Sequence, residues 1–114
     1  MTYIIYHNPR CTKSRQGLAL LSEEGIDPKI REYLKEEISE KELKKVIELL
    51  GIKAVELVRK TEADYKENFK GKELNDAEWI KAMVKFPKLI QRPIVVKGNK
   101  AVIGRPTEKI LELM

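Results

Sequence analysis

Strand-forming sequence is concentrated toward the two ends of this 114-residue chain, and helix-forming sequence fills the space between. Tyr3-Ile4-Ile5-Tyr6 is a β-branched and aromatic run closed by His7-Asn8-Pro9, which predicts a buried strand. Near the other end, Ile94-Val95-Val96 and Ala101-Val102-Ile103 flank Gly98-Asn99, the pattern of a β-hairpin.

The intervening segments carry their own punctuation. From Thr12, Leu18, Leu20 and Leu21 predict a helix that ends at Gly25, and a weaker strand is expected over Lys29 to Tyr33. Ser39 with Glu42 has the form of a capping box, followed by Leu43, Val46, Ile47 and Leu50 at helical spacing and closed by Gly51. A short helix is expected over Ala54 to Val58. Asn75 with Glu78 repeats the capping pattern before Trp79, Ile80, Met83 and Val84, and Pro87 ends that helix. Trp79 and Met83, four apart on one face, are read as core. Pro106 is expected to open a last helix bearing Ile110, Leu111 and Leu113.

The order is strand, helix, strand, a helical middle, a hairpin and a terminal helix. It predicts an α/β fold of thioredoxin-like plan: a mixed four-stranded sheet flanked by helices. A helical insertion, about 39–86, would separate the βαβ start from the hairpin and final helix. With no repeats, low-complexity tracts or linkers, residues 1–114 are read as one domain.

Composition narrows the function. Hydrophobic residues make up 42% and charged residues 36%, the balance of a folded domain and not of a disordered chain. No apolar run approaches the roughly 18 residues of a membrane span, and the amino terminus does not read as a secretory signal, so a cytoplasmic location is expected. The net charge of +5 does not imply nucleic acid, because most lysines alternate with glutamates on predicted helices, as in Glu40-Lys41-Glu42 and Lys44-Lys45. One cysteine and one histidine exclude zinc-finger spacing, no metal site is expected, and an internal disulfide is impossible.

That cysteine, Cys11, lies between the first strand and the first helix. A helix start presents about four unpaired backbone N–H groups and roughly half a positive charge, and Arg10, Lys13 and Arg15 add cations nearby. Each favours thiolate over thiol, so Cys11 is expected to be an activated nucleophile. Ser14, one helical turn on, could donate its hydroxyl to the sulfur or be an exposed or capping serine. His7 could tune the thiol or order the loop.

His7-Asn8-Pro9-x-Cys11-x-x-Ser14-Arg15 resembles the active-site loop of the glutaredoxin-linked, ArsC-type arsenate reductase family. Leu57-Val58-Arg59-Lys60, Arg92-Pro93-Ile94-Val95-Val96 and Arg105-Pro106-Thr107-Glu108 resemble that family's three substrate-arginine segments, and the likeness covers almost the whole chain. The last motif lies close to Met114, as in the family's shorter branch. The resemblance implies Cys11 as the nucleophile toward arsenate, Arg59, Arg92 and Arg105 as anion ligands, and His7, Ser14 and Arg15 as supporting residues. It also implies a cis peptide at Arg92-Pro93, no bound cofactor, and glutathione and glutaredoxin as reductants. Planar guanidinium forks suit a tetrahedral oxyanion and offset its repulsion from a thiolate. Two other functions share the fold: a glutathione-dependent thiol reductase, and a Spx-like regulator that binds RNA polymerase. The regulators typically carry a second cysteine where this chain has Ser14.

Overall fold

The structure is a computed structural model describing residues 2–114. Its contacts define two compact units, one running to Glu36 and resuming over Arg92–Met114, the other spanning Glu37–Gln91.

The first unit contains a four-stranded sheet in the order β2-β1-β3-β4, made of β1 (Tyr3–Tyr6), β2 (Lys29–Arg31), β3 (Ile94–Lys97) and β4 (Lys100–Ile103). β1 and β2 are parallel, joined through helix α1 (Thr12–Glu23), whereas β3 is antiparallel to both β1 and β4. This is the expected mixed sheet. Ile5, Leu21, Val95, Ile110 and Leu113 form its buried cluster, with Leu18, Ile26 and Val102 packed against it. Gly25 follows α1 with φ 75°, a left-handed conformation that its missing Cβ permits.

Two expectations in this unit need correction. The second strand stops at Arg31 because the chain turns at once, with the N–H groups of Lys35 and Glu36 both donating to the Glu32 carbonyl. Tyr33 is buried beyond the strand rather than in it. The terminal helix is a 3-10 helix, Thr107–Leu113, and Pro106 caps it from outside. Its three-residue repeat places Ile110 and Leu113 on one buried face and leaves Leu111 exposed.

The second unit begins with α2 (Glu40–Leu50), which buries Leu43, Val46 and Ile47 and leaves Lys41, Lys44 and Lys45 in solvent, as charge alternation implied. Ser39 caps α2 by accepting the Glu42 N–H at 3.0 Å, and Gly51 ends it at φ 68°. A 3-10 turn follows at Ala54–Leu57. In α4 (Asp76–Lys85) both halves of the capping box form: Glu78 N–H to Asn75 Oδ1 at 2.9 Å, and Asn75 N–H to Glu78 Oε1 at 3.0 Å. Trp79 and Met83 are core, as read. Helix α3 (Ala63–Asn68) was not anticipated. It buries no residue fully and is secured by aromatic contacts, with Tyr65 stacked on Trp79 and Phe69 packed against Trp79 and Phe86. A further 3-10 turn, Pro87–Leu89, follows α4. Among the described residues, no helix is long and apolar enough to cross a membrane.

Candidate active site

Sheet register assembles the site. Tyr6 pairs with Ile94, and Ile94 pairs with Ile103, so three strands align at one end of the sheet. The chain leaving Tyr6 is the cysteine loop, the chain entering Ile94 is Arg92-Pro93, and the chain leaving Ile103 is Gly104-Arg105. Segments more than 80 residues apart therefore meet because their strands are neighbours. Both Arg92-Pro93 and Arg105-Pro106 are cis peptides; the resemblance implied only the first. Gly104 N–H bonds the Pro93 carbonyl at 2.8 Å. Gly17 and Gly104 leave room for Pro93 and Ile110: a Cβ on either would lie 2.9 Å from Pro93 Cγ.

The cysteine loop is tied internally at nearly every step. His7 N–H bonds the Arg31 carbonyl at 2.9 Å, fixing the loop's root to β2. Asn8 organises the turn, its side-chain oxygen accepting Arg10 N–H and its carbonyl accepting Cys11 N–H, each at 3.0 Å. Cys11 is the N-cap of α1, in extended conformation, and its carbonyl accepts the Arg15 N–H. Asn8 escaped the sequence reading, although an Asx turn at Asn-Pro is the signal that marks it.

Ser14 is fully buried and is neither an exposed nor a capping serine. Its hydroxyl lies 2.7 Å from His7 Nδ1 and accepts the Asn8 N–H at 3.0 Å. Burial holds the His7 imidazole below its ordinary pKa, with Glu32 opposing and Arg15 reinforcing that shift. A neutral ring can accept the Ser14 proton at Nδ1. The Ser14 hydroxyl thus secures the loop, while the Ser14 backbone N–H serves the sulfur. Ser14→Ala should strand the Asn8 N–H and cost about 1–3 kcal/mol of stability, measured by denaturant unfolding. Because the backbone donor remains, partial activity should survive.

Cys11 is partly exposed. Burial pushes its thiol pKa up, but the Ser14 N–H, the hydrogen bond and charge of Arg92, and the Lys13 N–H together outweigh burial. The net effect holds the thiol below its ordinary value. Arg105 braces this arrangement, its Nε donating to the Arg92 carbonyl at 2.7 Å and its Nη2 lying 3.7 Å from Cys11 Sγ. The local cations expected to activate the thiol do so less directly. Arg10 and Lys13 have exposed side chains, and Arg15 bonds the Pro9 carbonyl at 2.9 Å and Thr12 Oγ1 at 3.2 Å. Charge reaches the sulfur from Arg92, distant in sequence.

The structure therefore brings Cys11, His7, Ser14, Arg15, Arg92 and Arg105 together in the first unit. Arg59 belongs to the second unit. There its N–H bonds the Leu89 carbonyl at 2.7 Å and its guanidinium pairs with Glu62 at 2.9 Å.

A thiol, two guanidiniums and the Ser14 and Lys13 N–H groups at a helix start can bind a small anion and attack it. The chain is 46% identical to an arsenate reductase of Haemophilus influenzae, with all of both chains covered. It is 38% identical to one of Neisseria meningitidis, covering 93% of this chain and 92% of that one. The solved structure of an arsenate reductase from Vibrio cholerae superposes with a TM-score of 0.95 at 44% identity, covering 100% of this chain and 98% of that one. The sequence pattern of the ArsC family matches residues 6–113, and with its thioredoxin-like fold the chain belongs to that family.

Proposed function

We propose that the protein reduces arsenate to arsenite in the cytoplasm, with Cys11 as the nucleophile and glutathione and glutaredoxin as the source of electrons. The observation that carries this reading is the convergence on one thiol of Arg105, at 3.7 Å, and of Arg92 and the Ser14 and Lys13 N–H groups, which lower its pKa. The arsenate reductase names of its close relatives support the choice of oxyanion.

Arsenate carries one to two negative charges at neutral pH. Arg92 and Arg105 offset its repulsion from the thiolate and hold its oxygens in bidentate fashion, and the family resemblance implies Arg59 as a further anion ligand. Sulfur attacks arsenic and an arsenic oxygen leaves as water, giving a Cys11–arsenic(V) bond. The chain has no second thiol, so an external thiolate must finish the reaction. Glutathione attacks the Cys11 sulfur, the sulfur–arsenic pair of electrons passes to arsenic, and arsenite leaves. Cys11 then carries a mixed disulfide, which a glutaredoxin thiol clears. The carboxylates of glutathione suit the same cationic field.

The test is a steady-state assay of arsenite formation with arsenate, glutathione and glutaredoxin. Turnover that needs all three supports the reading. Absence of arsenite, together with release of glutathione from glutathionylated proteins, would replace it with a thiol reductase.

A further inference from the structure

Arg59 already holds an anion, and the protein supplies it. Arg59 Nη1 donates to Glu62 Oε2 at 2.9 Å, with the two side chains only 18% and 25% exposed. Both residues belong to one tight turn, in which Glu62 N–H donates to the Arg59 carbonyl at 3.2 Å. The root of Arg59 is pinned as well. Its own N–H bonds Leu89, Gln91 N–H bonds the Leu57 carbonyl, and Val58 pairs with Ile90 in an antiparallel bridge. A carboxylate three residues away on a closed turn acts at high effective concentration.

Glu62 also stands at the N-cap of α3, where a side-chain oxygen ordinarily accepts a helix N–H. Its carboxylate makes no such bond. The side chain gives up the helix end and takes the guanidinium.

We propose that Glu62 is an internal competitor for the oxyanion at Arg59. This rests on the reading of Arg59 as an oxyanion ligand. A carboxylate and a tetrahedral oxyanion present similar acceptor oxygens to a guanidinium, so the two compete for the same donors. At rest the carboxylate occupies Arg59, and an arriving oxyanion must displace it or share the cation against its charge. Glu62 thereby lowers anion affinity and keeps the resting site from filling with ambient sulfate or phosphate.

The probe is sulfate, which binds as a tetrahedral dianion without being reduced, titrated calorimetrically into the reduced full-length chain. Glu62→Gln keeps the shape and removes the charge, and should bind sulfate about three- to tenfold more tightly, the scale of a partly buried ion pair. In an Arg59→Ala background the same change should alter affinity less than about twofold, because the competitor has nothing left to block. A purely structural Glu62 would produce weaker binding or none, so the direction of the change separates the roles. If Glu62→Gln unfolds the chain, Glu62→Ser, whose hydroxyl suits the N-cap of α3, carries the same expectation. Unchanged or weaker binding in a folded Glu62 variant, with Arg59→Ala still weakening binding, overturns the competitor and leaves the oxyanion reading intact. If Arg59→Ala leaves sulfate affinity unchanged, that reading of Arg59 falls and this inference with it.

Discussion

Replacing Cys11 by Ser is expected to reduce arsenate turnover to background, a loss on the order of 10⁶-fold on the scale seen when a catalytic nucleophile is removed. The substitution keeps the size of the side chain and the N-cap position, so the fold should persist. What it removes is an ionisable nucleophile. The donors around Cys11 Sγ stabilise an anion, and a serine hydroxyl does not ionise there at neutral pH. No other thiol can replace it, since the chain has one cysteine. Mass spectrometry of the wild type, quenched after arsenate and glutathione but without glutaredoxin, should show one glutathione adduct, on Cys11. The Cys11→Ser variant should show none. Sustained turnover with thioredoxin as the only reductant and no adduct would mean that the electrons arrive by another route. Substantial turnover by Cys11→Ser would remove the thiol from the mechanism altogether.

The same residue shows what was legible in the sequence. Strands β1, β3 and β4 could be read because each is a β-branched run bounded by turn residues, and α2 and α4 because Ser39 and Asn75 mark their starts. These signals are local, and local signals survive in a linear reading. Helix α3 was invisible for the opposite reason. Asp64, Lys66, Glu67 and Asn68 give it no apolar stripe, and its position depends on Tyr65 and Phe69 meeting Trp79 from elsewhere in the chain. The 3-10 form of the last helix was likewise set by packing, since Ile110 and Leu113 must both reach the sheet core.

At the site, the helix-terminal position of Cys11 was legible, but the source of its positive charge was not. Arg10, Lys13 and Arg15 are adjacent in sequence and so looked decisive. Side-chain direction reversed that ranking. The cations that matter at the sulfur come from Arg92 and Arg105, the latter 94 residues away, delivered by the pairing of β1 with β3 and β3 with β4. Family resemblance named these arginines as anion ligands. It did not indicate that in the resting protein they also serve the thiolate.

That double duty gives Arg92→Ala and Arg105→Ala two separable effects. Losing either guanidinium should cost about 2–4 kcal/mol of transition-state stabilisation, read as lower kcat/KM for arsenate, by analogy with lost oxyanion donors. Lys60→Ala and Lys100→Ala, at exposed positions, should change kcat/KM by no more than about 1 kcal/mol. The second effect is on the thiol itself. In the wild type, burial raises its pKa, and the Ser14 N–H, Arg92 and the Lys13 N–H together lower it by more. Removing Arg92 leaves burial less opposed, so the pKa must rise. The midpoint of pH-dependent iodoacetamide labelling should therefore lie below that of free cysteine in the wild type and move upward in Arg92→Ala. Stability follows the same sign. A thiol whose folded pKa is depressed adds stability that is full above the unfolded pKa and is lost as pH falls through the folded one. The wild type should accordingly gain on Cys11→Ser as pH rises through that window, and the gain should shrink in the Arg92→Ala background. A labelling midpoint indistinguishable from free cysteine in the wild type would mean that burial wins at Cys11 and that the arginines serve the oxyanion alone.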